Sequence, residues 1–254
     1  MTDDKTPDSP RIVDLRGRRI AVADDKPTFW DRAEAGRWEP ETLAALEEAV
    51  SPGCTVLDIG AWVGPTVLFA AALGAARVVA VEADPRALEL LRGNLAANPV
   101  LAARVTVVAA AAAAGPGPVR LGAARKRGDS MSSALLAGAA DAWETTAVTP
   151  AELVALAAGE GPLVVKVDIE GGEYDLLPAL AGALPARCRR LLVAFHPVLM
   201  AAAGTDDPAI KLRTRAIFDA LSGFLPTLLE QTPGLPENPR DAAEKANVTV
   251  LFSR

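Results

Sequence analysis

Residues 55–65 read TVLDIGAWVGP, so that Asp58, Gly60, Ala61 and Gly64 follow a short apolar run. A glycine carries no Cβ. Gly60 therefore leaves room for a ligand beside the main chain, and Gly64 lets a helix start tightly against the preceding strand. Glu82 lies 22 residues after Gly60, at the end of the next apolar run and just before Ala83. A carboxylate at that point can accept hydrogen bonds from both hydroxyls of a ribose. The turn Gly-Ala-Trp-Val-Gly-Pro lacks the third glycine of a dinucleotide fingerprint, Trp62 and Val63 crowd the place of the phosphates, and Pro65 removes an amide donor. The pattern predicts a nucleoside that bears no phosphate, with Asp58 receiving the ammonium of an amino-acid tail directly or through water.

Such a site needs a scaffold, and from residue 55 short apolar runs alternate with helical patterns. TVLDI precedes a helix from Pro65, and RVVAVEA precedes a helix from Pro85 that Asp84 caps and that buries Leu88, Leu91 and Leu95. RVTVVAA leads to a Gly/Pro turn and a further strand in VRLGA, then to a less regular stretch. LVVKVDI precedes a helix with Tyr174, Leu177 and Leu180 that Pro178 is expected to kink, and RRLLVAF leads through a loop to a helix from Asp207. PTLLEQ and NVTVLFS close the chain without a helix between them and should pair antiparallel. Nearly continuous apolar strands separated by helices predict a mostly parallel seven-stranded sheet with an antiparallel last strand, covered by helices on both faces. In a doubly wound sheet of this kind the ligand lies beyond the carboxyl ends of the strands, where strand order reverses. Residues 1–26 read as a flexible tail with one short strand around RRIAVA. Residues 27–254 read as a single domain, opened by an amphipathic helical cap over 27–53 with Pro40 in a first turn.

The 254 residues, half of them hydrophobic, can bury a substantial core. A net charge of -6 argues against a nucleic-acid partner or an anionic membrane surface, and the run Arg125, Lys126, Arg127 reads as a solvated loop. Two cysteines, Cys54 and Cys188, are too few for a disulfide framework and suit a reducing cytoplasm. The acidic, proline-bearing N-terminus does not resemble a signal peptide, and the longest apolar run, Val105 to Ala114, is too short to cross a bilayer. These features predict a soluble cytoplasmic protein, with oligomeric state left open.

The order Asp-x-Gly-x-x-x-Gly followed by an acidic strand end resembles the glycine-rich motif of class I S-adenosylmethionine-dependent methyltransferases. LVVKVDIEGGEYDLL, residues 163–177, resembles the Lys-Ile-Asp-x-Glu-Gly-x-Glu signature of the FkbM-type family at Lys166, Asp168, Glu170, Gly171 and Glu173. VVAVEADP, Asn94, Asn98 and DSMSSALL extend the likeness, which covers residues 30 to about 200. It implies a Rossmann-like fold, S-adenosylmethionine as methyl donor, and O-methylation of a small metabolite or sugar-containing natural product. Two departures stand out: VEADP in place of the commoner FEPNP, and an alanine run from Ala109 to Ala114 with no acidic side chain for the adenine amino group. Adenine would then be held by backbone groups or the following loop.

In such a fold the fourth strand lies on the other side of the first, and Asp168 borders both the donor and the acceptor. The fifth strand ends at AFHP, which brings His196, the sole histidine, near Asp168 and Glu170. A hydroxyl acceptor must shed a proton. His196 has the pKa to collect it, with Asp168, Glu170 or Glu173 orienting the imidazole or serving as the base. A divalent cation such as Mg²⁺, held by Asp168 with Glu170 or His196, is a variant of the same chemistry. Phe29, Trp30, Trp38, Glu39 and Glu173 are candidate acceptor contacts, and Ser130, Ser132 and Ser133 candidates to cap the donor. Two rivals remain: a nicotinamide-dependent oxidoreductase, disfavoured because Tyr174 has no Lys nearby, and a catalytically idle nucleoside-binding relative.

Overall fold

The computed structural model describes residues 10–23, 26–230 and 233–254. The chain opens with β1 (Arg11–Leu15) and β2 (Arg18–Val22), an antiparallel hairpin turned at Arg16 and Gly17, whose φ values are 51° and 81°. Two successive positive φ angles match the right-handed twist of paired strands. Asp14 fixes the turn by accepting from the Gly17 amide at 2.6 Å. Val13, Leu15, Ile20 and Val22 are fully buried. This part of the expected flexible tail is instead a piece of the core, with five charged residues among the apolar ones masking its buried face; residues 1–9 lie outside the described residues.

The expected single helical cap is two helices, α1 (Pro27–Glu34) and α2 (Pro40–Ala49). They break at Gly36 and at Glu39, whose φ is 39°. Next come β3 (Thr55–Ile59), α3 (Pro65–Leu73), β4 (Arg77–Glu82), α4 (Pro85–Ala96), α5 (Pro99–Ala102) and β5 (Val105–Ala109). The stretch that looked irregular forms a side sheet of β6 (Ala111–Ala112), β7 (Pro118–Ala123), β8 (Ser132–Ser133) and β9 (Trp143–Val148), in the order β6-β9-β7-β8. After α6 (Pro150–Leu156), β10 (Leu163–Val167) returns on the other side of β3, followed by α7 (Glu173–Ala183), β11 (Cys188–Phe195), α8 (Pro197–Ala202) and α9 (Asp207–Ala220). The chain ends with β12 (Leu225–Leu228), the short α10 (Pro239–Ala243) where no helix was expected, and β13 (Val248–Ser253).

The main sheet runs β12-β13-β11-β10-β3-β4-β5, parallel except for β13, which is antiparallel to both neighbours. Strand order reverses between β3 and β10, so their carboxyl ends frame the crevice where this architecture binds ligands. Each central strand alternates between two cores: Leu57 and Val165 pack with α6, α7 and α9, whereas Val56 and Val164 pack with α2, α3 and α4. Burial on both faces explains why the strands read as unbroken apolar runs. Among the ten helices described, α7 alone lacks proline in its opening positions. It starts at the crevice, where the Gly171 amide is used by Glu173.

Candidate functional site

A cavity of about 410 Å³ opens at the carboxyl ends of β3, β4, β10 and β11. Gly60, Ala61, Glu82, Ala83, Asp168, Glu170, His196, Trp38, Glu39, Ser130 and Ser132 line it, as the sequence predicts. Asp58, Gly64, Trp30, Glu173 and Ser133 do not line it.

On the donor side the main chain does most of the shaping. Gly60 has φ +87°, and a Cβ placed on it would lie 1.8 Å from the Asp168 carbonyl oxygen. The glycine is therefore required by the touching tips of β3 and β10, and not, as expected, by a ligand approaching from that side. Gly64 has φ +90°, and its Cβ would meet Leu91 Cδ1 at 2.5 Å, so it lets α3 begin close to α4. Asp58 is almost fully buried; its Oδ2 accepts from Thr66, and its Oδ1 has no hydrogen bond and lies 3.6 Å from Lys166 Nζ. Thr66 and Lys166 line the cavity, so Asp58 acts from behind its wall. Burial pushes the Asp58 carboxyl up, and Lys166 and Thr66 work against the shift.

Glu82 Oε1 accepts from the amides of Ala83 and Asp84, and Oε2 from that of Trp62, at 2.7–2.8 Å. It thus ties the first turn to the tip of β4 before any ligand arrives. Burial pushes this carboxyl up to about 7 despite the three donors. Ala110 to Ala114, Val119 and Leu121 form an apolar wall beside it. The segment after β7 closes over this wall. Asp84 Oδ2 accepts from the Gly128 amide and the Ser132 hydroxyl, Trp62 Nε1 donates to the Gly128 carbonyl, and Trp143 Nε1 donates to that of Ala83. Asp129, which also lines the cavity, was not foreseen; its oxygens accept from the amides of Arg125, Lys126 and Met131, so it builds the cover. Ser133 donates to the Glu170 carbonyl and fastens the cover to the opposite side.

Side chains dominate the acceptor side. His196 Nδ1 lies 3.1 Å from Glu173 Oε1, which also accepts from the His196 amide. Glu173 is fully buried, so the expected substrate contact is instead a support for His196, sealed in because its other oxygen accepts from Gly171. His196 Nε2 faces Glu170 Oε2 at 3.5 Å and Asp168 Oδ1 at 3.7 Å. Burial alone would lower the imidazole pKa, but Glu173, Asp168 and Glu170 together raise it to about 10. Glu170 is pushed up to about 7 by burial and the neighbouring carboxylates, so it stands beside His196 as a candidate proton acceptor. Lys166 is buried and reaches Asp168 Oδ2 at 3.1 Å; burial opposes its charge, yet Asp168, Asp58 and Glu39 hold the ammonium above its usual range. A lysine inside the apolar strand LVVKV was the signal for this role.

Trp30 is buried in the core, stacked edge-on with Phe29, because α1 turns it inward. Phe29 in turn packs on Trp38 and Trp62, which do reach the cavity. Four described non-glycine residues have positive φ, and three of them, Glu39, Trp62 and Glu170, line this cavity. Such conformations cost about 1–3 kcal/mol each and concentrate at functional sites.

A family model of ribosomal protein L11 methyltransferase (PrmA) matches residues 41–118. The ribosomal protein L11 methyltransferase of Pelotomaculum thermopropionicum is 40% identical over 110 residues, covering 36% of this chain and 34% of that protein. That of Dechloromonas aromatica is 47% identical over 60 residues, 24% of this chain and 20% of that protein. The matched region thus spans about a third or less of these relatives. Among solved structures, the methyltransferase FkbM from Methylobacillus flagellatus superposes with a TM-score of 0.51 at 18% identity, covering 91% of this chain and 56% of that one. The chain has the class I methyltransferase fold. S-adenosylmethionine is the cofactor that this fold implies, and the residues fit it. The methyltransferase turn has no phosphate cradle, the adjoining wall is apolar, and Asp58 leaves a buried oxygen without a hydrogen bond. Among the described residues no helix is long and apolar enough to cross a membrane.

Proposed function

We propose that the protein is an S-adenosylmethionine-dependent O-methyltransferase of the FkbM type, acting on a hydroxyl of a small molecule. One observation carries the reading: a single cavity joins the Gly60–Glu82 turn to the Asp168, Glu170 and His196 cluster. Its volume lies in the range of small-molecule sites. S-adenosylmethionine, when bound, supplies an electrophilic methyl group on a sulfonium. Glu82 and the amides around it receive the ribose, the alanine wall and the cover enclose the adenine, and Thr66, backed by Asp58, faces the amino-acid tail.

Methyl transfer from a sulfonium is an in-line displacement, in which the protein supplies chiefly proximity and alignment, worth about 7 kcal/mol or more. The acceptor hydroxyl lies against Glu170, which takes its proton as the new bond forms. His196 faces Glu170 and Asp168, and Glu173 holds His196. Trp38 and Glu39 supply the opposite wall.

The family model of ribosomal protein L11 methyltransferase ends at Pro118, on the donor side. Lys166, Asp168, Glu170 and His196 all lie beyond it, so that match supports the donor and leaves the acceptor to this chain's own residues. The test is incubation with S-adenosylmethionine and candidate hydroxylated metabolites, read as a one-methyl mass gain. Gain on a small hydroxyl compound supports the proposal, whereas gain only on ribosomal protein L11 would overturn the acceptor class.

A further inference from the structure

We infer that Asp168, Glu170 and His196 form a binding site for a divalent cation, which holds the acceptor hydroxyl in the cavity. The inference rests on the methyltransferase reading for its role but not for its existence. One ligand atom from each residue can be chosen so that all lie within 4.8 Å of one another. His196 Nε2 stands 3.7 Å from Asp168 Oδ1 and 3.5 Å from Glu170 Oε2. A six-coordinate cation with bonds of about 2.1 Å needs neighbouring ligands roughly 3.0 Å apart and opposite ones roughly 4.2 Å apart. The three atoms reach that geometry by movements of a few tenths of an ångström.

The second observation is His196 itself. The residue is 8% exposed and lines the cavity, and its Nε2 is left to Asp168 and Glu170 at 3.7 and 3.5 Å. Its other nitrogen is committed to Glu173, a wholly buried carboxylate. Carboxylate support of the far ring nitrogen is the usual way in which a metal-binding imidazole is oriented. Asp168 is anchored likewise, with Lys166 on Oδ2 and Oδ1 left toward the histidine. Two of the three ligands, His196 and Asp168, are therefore oriented by a second side chain. Three carboxylates, Asp168, Glu170 and Glu173, face the single imidazole at this point.

One nitrogen and two carboxylate oxygens suit Mg²⁺ or Mn²⁺. The positions that remain face the cavity and take the acceptor hydroxyl with a neighbouring oxygen, so the substrate class is a vicinal diol or a hydroxycarbonyl compound. In the transfer, the sulfonium C–S bond breaks with its electron pair going to sulfur, and the acceptor oxygen forms the new C–O bond. The hydroxyl proton passes to Glu170 Oε1, which carries no hydrogen bond among the described residues while Oε2 faces the cation.

The test uses the full chain freed of metal with a chelator, titrated with Mn²⁺ and followed by loss of the free-ion electron paramagnetic resonance signal. One Mn²⁺ per chain is expected, with affinity at least tenfold weaker in Glu170→Gln and in His196→Asn. Glu173→Gln should weaken it about tenfold through the imidazole alone. Circular dichroism checks that each variant is folded. No Mn²⁺ bound by the wild type, or equal binding by the wild type and folded Glu170→Gln and His196→Asn variants, would overturn the site. Calorimetry with S-adenosylmethionine on the same samples separates the two claims. Donor binding without Mn²⁺ binding overturns only the cation site, and Mn²⁺ binding without donor binding overturns only the methyltransferase reading.

Discussion

The two halves of the cavity are built by different means. The donor half, Gly60 to Ala83 and the alanine wall, is made of main-chain amides, small side chains and one carboxylate already engaged by three N–H donors. The acceptor half is made of charged side chains from α2's start, β10's tip and β11's tip, held buried and close together. A backbone cradle is set by local turns and tolerates little change. A charge cluster can be altered one group at a time without unfolding the chain, and its chemistry changes with each.

Gly60→Ala should break that contrast most severely, because it strikes the contact between the halves. With φ +87° and a Cβ 1.8 Å from the Asp168 carbonyl, the variant is expected to lose ~3 kcal/mol or more of stability, read by denaturant unfolding. Next, Glu170→Gln should lower kcat about 100-fold and leave the donor Kd within about twofold, since it alters the acceptor half alone. Equal losses in donor binding and turnover would show that the halves are not separable.

Glu82→Gln is expected to weaken donor binding about tenfold while kcat at saturating donor stays near that of the wild type. The same carboxyl gives a pH dependence with a definite sign. Its pKa rises from 4.5 in the unfolded chain to about 7 when folded, so the folded state binds the proton more tightly. Its contribution to stability is complete below about pH 4.5 and is lost as pH rises through 7. Donor affinity moves the other way, because ribose hydroxyls donate to the ionised form, and should improve between pH 6 and 8. The Glu82→Gln variant should flatten both trends, in melting curves and in calorimetry. The smallest effect is expected of Ser132→Ala, which loosens the cover from Asp84 and should raise the donor Kd about two- to threefold.

The donor half was legible because its signals are local. Gly60, Gly64 and Glu82 sit at fixed spacing on consecutive strand ends, and the apolar runs give the strand order. Even so, the reason for Gly60 was misread, since the carbonyl that fills its missing Cβ comes from Asp168, over a hundred residues away. The acceptor half was legible only as a list of residue types. Nothing in EGGEY says that Glu170 faces the cavity while Glu173 turns inward, since a helix start can present either side. His196 read as a base because its type suggests one, and only the fold shows the three carboxylates gathered around it. Trp30 and Trp38 looked alike in sequence and differ because the break at Glu39 separates α1 from α2. The hairpin over β1 and β2 escaped because four arginines and an aspartate are interspersed among its apolar residues.

The central claim is that the turn at Gly60 and the carboxyl at Glu82 hold S-adenosylmethionine beside an independent charge cluster. Isothermal titration of S-adenosylmethionine into the wild type, Glu82→Gln and Glu170→Gln tests it directly. One site per chain is predicted, weakened about tenfold in the first variant and unchanged in the second. Absence of heat with S-adenosylmethionine, together with a clear signal for a nicotinamide dinucleotide, would contradict the account.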